Sequence, residues 1–111
     1  MKVAIASTGN NLNHTIDSQF GHAANFVIYN RNNQELEIRI NPFTKAVEHA
    51  GTKAVKWLAM EGVSTLIAGD FGPKIQTLLE QLRIQLIVIR KPDMTIHQII
   101  ELLNQQNHAK T

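Results

Sequence analysis

The apolar residues of this chain change period along the sequence, and that change limits the folds open to it. Lys2–Ser7, Asn25–Asn30 and residues 65–68 and 86–89 are short runs rich in Val, Ile, Leu and Ala. Their length and branching suit strands, and the first suits one buried on both faces. Leu36, Ile38 and Ile40 alternate with Glu35, Glu37 and Arg39, the pattern of a strand with one wet face. Arg31-Asn32-Asn33-Gln34 before it is turn chemistry, which predicts a hairpin. Elsewhere the spacing is helical. Val47, Ala50, Ala54 and Leu58 form one stripe, ended by Gly62. Ile75, Leu78, Leu79 and Leu82 form a second behind Pro73, a residue suited to the first helical position. Ile96, Ile99, Ile100 and Leu103 form a third, opened by Thr95 and Gln98 as a capping box. Residues 105–111 read as a polar tail that frays.

The order is therefore β-β-β-α-β-α-β-α, which predicts an α/β domain with helices on both faces of a mostly parallel sheet. Right-handed crossovers place the first strand centrally, with the hairpin on one side and the later strands on the other. The sheet is then mixed and five-stranded, in the order 3-2-1-4-5 with one antiparallel strand. At 111 residues this is one domain, 1–111, long enough for a core without staples.

Composition removes several function classes. The chain has no Cys, so it offers no disulfide framework, no thiolate zinc site and no thiolate-held iron–sulfur cluster. Eleven Lys and Arg against nine Asp and Glu is a net of +2, too small for a nucleic-acid footprint. No run reaches the ~18 apolar residues of a membrane span, and the first residues lack the apolar stretch of a signal peptide. A soluble cytoplasmic protein with neither nucleic acid nor membrane as partner is the expectation.

Open α/β sheets bind ligands beyond the carboxyl ends of their strands, where the strand order changes direction. Two segments converge there: the polar loop 8–19 and Gly69-Asp70-Phe71-Gly72-Pro73, which runs into a helix. The second is either a tight strand-to-helix turn or an anion cradle of free backbone N–H groups with Lys74 beside it. His14, His22 and His49 lie in or near predicted loops, each either solvated or a metal ligand. Phe20 and Gly21 either plug the core and turn the chain or line a pocket. Asp17 reads as a loop-ordering carboxylate. His97 reads as an exposed helical residue, and His108, in the tail, carries no signal. The carboxylates are too few for a two-metal nuclease, and there is no nucleophile elbow, P-loop or dinucleotide fingerprint.

Together these residues carry a resemblance. The opening Met1-Lys2-Val3-Ala4-Ile5-Ala6-Ser7, then Asp17, Phe20-Gly21-His22-Ala23, Asn41-Pro42, Ala50-Gly51 and Leu66-Ile67-Ala68-Gly69-Asp70-Phe71-Gly72-Pro73 resemble the dinitrogenase iron–molybdenum cofactor biosynthesis family, the NifX/NifY-type domain. The likeness spans about residues 1–104. It implies a ribonuclease H-like three-layer fold. It also implies a non-enzymatic carrier for the iron–molybdenum cofactor or its iron–sulfur precursor, with cofactor-assembly proteins as partners. The candidate cofactor-binding residues are then Phe20, Gly21, His22, Gly69, Asp70, Gly72, Pro73 and Lys74, and the candidate metal-facing ligands His14 and His22. The family commonly has Arg at the position of His22, and Asn-Ala where Lys74-Ile75 stands here. A regulatory or interaction module, binding an anionic small molecule or a protein at the same cleft, is the alternative. A chain with no Cys suits a labile carrier as well as a protein that binds no cluster.

Overall fold

The computed structural model describes the backbone of residues 1–109 and the side chains through Gln105. The elements are β1 (Lys2–Ser7), β2 (Asn25–Asn30), β3 (Leu36–Ile40), α1 (Ala50–Met60), β4 (Val63–Ala68), α2 (Pro73–Leu82), β5 (Gln85–Val88) and α3 (Ile96–Ala109). They form one five-stranded sheet in the order β3-β2-β1-β4-β5. β1 pairs antiparallel with β2 and parallel with β4; β2 pairs antiparallel with β3, and β4 parallel with β5. One strand, β2, therefore runs against the other four, as the pattern of periods predicts.

Side-chain alternation divides the core into two layers. Ala4, Ala6, Phe26, Ile28 and Leu66 pack against α1 and α2 through Ala54, Val55, Leu58 and Leu79. Val3, Ile5, Val27, Tyr29 and Ile67 pack against α3 through Ile96, Ile99, Ile100 and Leu103. β1 is thus buried on both faces, which is why it reads as a continuous apolar run. Its two alanines, Ala4 and Ala6, point to the α1/α2 side and let those helices approach the sheet.

Helix ends follow their local chemistry. Gly72 is the extended N-cap of α2, and Pro73 takes the first helical position, where no N–H is needed. Gly62 accepts φ 85° after α1. At α3 the Thr95 amide donates to Gln98 Oε1 at 2.9 Å, and the Gln98 amide donates to Thr95 Oγ1 at 3.1 Å. This is the capping box, closed on both sides.

Several expectations need correction. α1 starts at Ala50 rather than on the turn holding Val47, which is 97% exposed. His49, in the left-handed region at φ 60°, is its N-cap and breaks the stripe there. α3 continues to Ala109 where a fraying tail was expected from 105; Lys110, Thr111 and the side chain of His108 lie outside the described residues. The largest departure is β3. Its apolar side is the wet one, with Leu36, Ile38 and Ile40 at 43%, 40% and 77% exposure. Arg39 instead turns toward α1, its guanidinium 5.2 Å from the Trp57 ring centre.

Candidate functional site

The long loop after β1 is a strap rather than a free loop. Ser7 and Ile16 form an antiparallel bridge, the Thr8 amide donates to the Thr15 carbonyl at 3.0 Å, and the Asp17 amide donates to the Ala6 carbonyl at 2.8 Å. Its other side is tied to the start of α3. The Ile16 amide donates to the Met94 carbonyl, the Ile96 amide to the His14 carbonyl and the His97 amide to the Leu12 carbonyl. The Asp17 carbonyl then accepts from the Gly69 amide at 3.0 Å. One residue thereby joins the carboxyl ends of β1 and β4 at the point where the strand order changes direction.

Close backbone contact makes this seam, and glycine permits it. A Cβ on Gly69 would stand 2.8 Å from Ser18 Cα, and one on Gly21 would stand 2.5 Å from the Gly51 backbone nitrogen. No flexible side-chain tip could yield at either place, so a hydrogen is all that fits. Phe20 is buried between the two motif segments, its ring 5.1 Å from Phe71 and 5.3 Å from Phe26. Buried Asn41 donates from Nδ2 to the Gly21 and Ala23 carbonyls at 2.9 Å each, and its Oδ1 accepts from the Phe43 amide. The Asp17 carboxylate accepts from the Gln19 amide at 2.9 Å, the loop-ordering role expected of it.

Above the seam is a cleft of about 440 Å³, lined by Ser18, Gln19, Phe20, Gly21, His22, Asp70, Phe71, Gly72 and Ile75. Five of the expected binding residues meet there: Phe20, Gly21, His22, Asp70 and Gly72. Pro73 and Lys74 follow on the exposed first turn of α2. The amides of Ile75 and Gln76 already donate to the Gly72 carbonyl at 3.0 and 3.1 Å. Of the amides after Gly72 in this first turn, that of Lys74 is left to face an anion, so the cradle is narrower than the turn sequence suggests. Gly69, in the seam, lines not this cleft but an adjoining apolar hollow of about 220 Å³ with Ile16, Ser18, Ile89, Arg90 and Pro92. Arg90 reaches Asp70 at 3.9 Å in an exposed pair that contributes little.

The two candidate metal-facing histidines are placed differently. His22 is exposed at the cleft, with Nδ1 3.0 Å from the Thr44 carbonyl, while the Thr44 hydroxyl donates back to the His22 carbonyl at 3.0 Å. A carbonyl only accepts, so Nδ1 carries a proton, which in the neutral ring leaves Nε2 with its lone pair. Backbone carbonyls orient metal-binding imidazoles in this way. His14 does not line the cleft. Its ring covers Gly9, and its carbonyl is held by α3. Among the described residues no three of His, Cys, Asp and Glu are grouped as a set that could hold a metal ion. His97, expected to be exposed, pairs with Glu101 at 2.7 Å on the surface of α3.

Ser18 and Gln19 come from the loop 8–19 expected at the cleft, whereas sequence reading missed Ile75 there and Arg90 and Pro92 beside it. Arg90-Lys91-Pro92 follows the last strand at its carboxyl end, and that position was the available signal.

A family model described as dinitrogenase iron-molybdenum cofactor matches residues 1–106. The chain belongs to this family. The apo form of the orange protein from Desulfovibrio gigas is similar at 28% identity and TM-score 0.83, covering 95% of this chain and 88% of that one. A Thermotoga protein described as a candidate NifB protein, solved by NMR, is similar at 28% identity and TM-score 0.75, covering 94% and 87%. A search of curated proteins finds no match. Among the described residues no helix is long and apolar enough to cross a membrane.

Proposed function

We propose that this protein is a non-enzymatic carrier domain for an iron–molybdenum-cofactor-type cluster, or a related iron–sulfur cluster, during metallocofactor assembly. The observation that carries this reading is a coincidence of place. The motif residues of a family named for that cofactor line one open cleft at the sheet's change of direction. A similar structure is an orange protein solved as an apo form, which supports a ligand that can leave.

The cleft residues suit a cargo that must be passed on. With no Cys, the protein has no thiolate set to hold a cluster firmly. His22 offers one neutral nitrogen, an exchangeable bond. The Lys74 amide and ammonium, at the positive end of α2, would balance part of the cluster's negative charge. Phe20 and Phe71 give an apolar wall. Asp70 is the exception in charge: its carboxylate accepts from the Phe71 amide at 2.9 Å, so it serves the turn rather than the cargo. His14 is the second candidate ligand. It stands away from the cleft lining, so the proposal expects less from it than from His22.

The test is an anaerobic titration with isolated iron–molybdenum cofactor, following visible absorbance and co-elution of iron on a sizing column. Stoichiometric co-elution is expected, lost in His22→Ala and largely kept in His14→Ala. No co-elution with the wild-type protein would overturn the reading. Retention by His22→Ala would move binding to the 69–74 turn. That turn also favours a second reading, an interaction module for a small anion. Its N-cap, Gly72, has no side chain to bond the first amides of the helix. Anion binding without cluster binding, indifferent to His22, would identify it.

A further inference from the structure

We propose that β3 is a self-association edge that pairs antiparallel, about a two-fold axis at Ile38, with β3 of a second copy of this chain. The inference is independent of the carrier reading. It rests on which parts of β3 are left bare and on the order of its charges.

β3 ends the sheet, and among the described residues no strand but β2 pairs with it. The Asn30 amide donates to the Glu35 carbonyl and the Asn41 amide donates to the Ala24 carbonyl. In an antiparallel ladder this parity turns the backbone groups of residues 35, 37, 39 and 41 toward β2. Those of Leu36, Ile38 and Ile40 face outward. The same three side chains form the exposed apolar strip, at 43%, 40% and 77% exposure. A bare row of donors and acceptors flanked by an apolar strip is a template for another strand.

The charges select the occupant and the register. When Ile38 faces Ile38 of the second copy, Leu36 faces Ile40, and outward groups meet outward groups. Glu37 then faces Arg39 twice, in non-hydrogen-bonded positions where side chains stand closest. A shift to the neighbouring two-fold register sets Glu37 against itself, and the opposite shift sets Arg39 against itself. Like charges directly opposite are destabilising. The charges that oppose open-ended pairing thus permit one closed, isologous pair. Arg39 is already oriented: its Nη1 lies 2.7 Å from Glu61 and 3.1 Å from Glu37, over Trp57. A guanidinium has five N–H donors, so others remain for the second copy. Five residues make a short edge, so the dimer belongs to the weak, concentration-dependent class.

Sedimentation velocity over a concentration series tests this. The wild-type chain is expected to pass from monomer to dimer. Glu37→Arg and Arg39→Glu should each stay monomeric, while an equimolar mixture of the two should dimerise, because the mixed pair restores opposite charges. Ile38→Lys places like charges on the axis and should also be monomeric, with an unchanged far-UV circular dichroism spectrum to show that it folds. That variant decides the matter where Arg39→Glu loses its fold. A wild-type chain that is monomeric throughout overturns the proposal. So does a dimer that persists in Glu37→Arg and Ile38→Lys, or assembly beyond two copies.

Discussion

The candidate site has two parts built from the same motifs but unlike in kind. The seam comprises Asp17, Phe20, Gly21, Gly69 and Phe71, where backbone touches backbone and rings are buried. The rim comprises His22, Gly72, Pro73 and Lys74, which are exposed. A Cβ on Gly21 meets main chain at 2.5 Å, whereas a Cβ on Gly72 meets nothing within 4 Å. The two glycines look alike in the sequence. One exists for packing, and the other leaves a helix end open. Residues of one motif therefore divide into those that build a cleft and those that face what enters it.

Substitutions that damage only one part break the comparison or sharpen it. Phe20→Ala removes the ring between Phe26 and Phe71 and should cost about 3–5 kcal/mol, read from urea unfolding. A loss below ~1 kcal/mol would mean that the seam is not core. Gly21→Ala comes next, at about 1–3 kcal/mol, because main chain must move to admit the methyl. Thr95→Ala opens the capping box that holds α3 beside the strap and should cost about 1 kcal/mol. At the rim the sign reverses. Gly72 has φ −65° and ψ 157°, which alanine adopts freely before proline. Gly72→Ala should therefore stabilise by about 0.4–1 kcal/mol, measured as a raised Tm. His22→Ala should leave the Tm nearly unchanged while abolishing cluster co-elution. Destabilisation as large as that of Gly21→Ala would move His22 into the seam.

The centre and the edge of the sheet teach a related lesson. β1 and β3 both carry apolar residues, yet β1 is covered on both faces and β3 on neither in full. Leu36 and Ile38 sit opposite Tyr29 and Val27, on the α3 side of the sheet. α3 packs over β1, β2 and β4 and leaves the third strand bare. Alternation shows that a strand has two unlike faces. Which face a helix covers is a matter of where that helix lies.

Local chemistry is what the sequence by itself determined. The order of elements, the strand order with its one reversed strand, Pro73 at the start of α2, Gly62 after α1 and the Thr95–Gln98 box all rest on periods, handedness and short-range hydrogen bonds. That the loop 8–19 and the 69–73 turn meet at the carboxyl ends of β1 and β4 also follows from topology. Tertiary structure alone decided the rest. The loop 8–19 became a strap because β1, just before it, and the start of α3, about 80 residues on, each offered it backbone partners. His14 and His22 parted because that strap carries one toward α3 and the 41–44 turn holds the other by Thr44. Gly21 and Gly72 differ because of what lies beyond the position of a missing Cβ. Such contacts join residues tens of positions apart, and no local pattern encodes them.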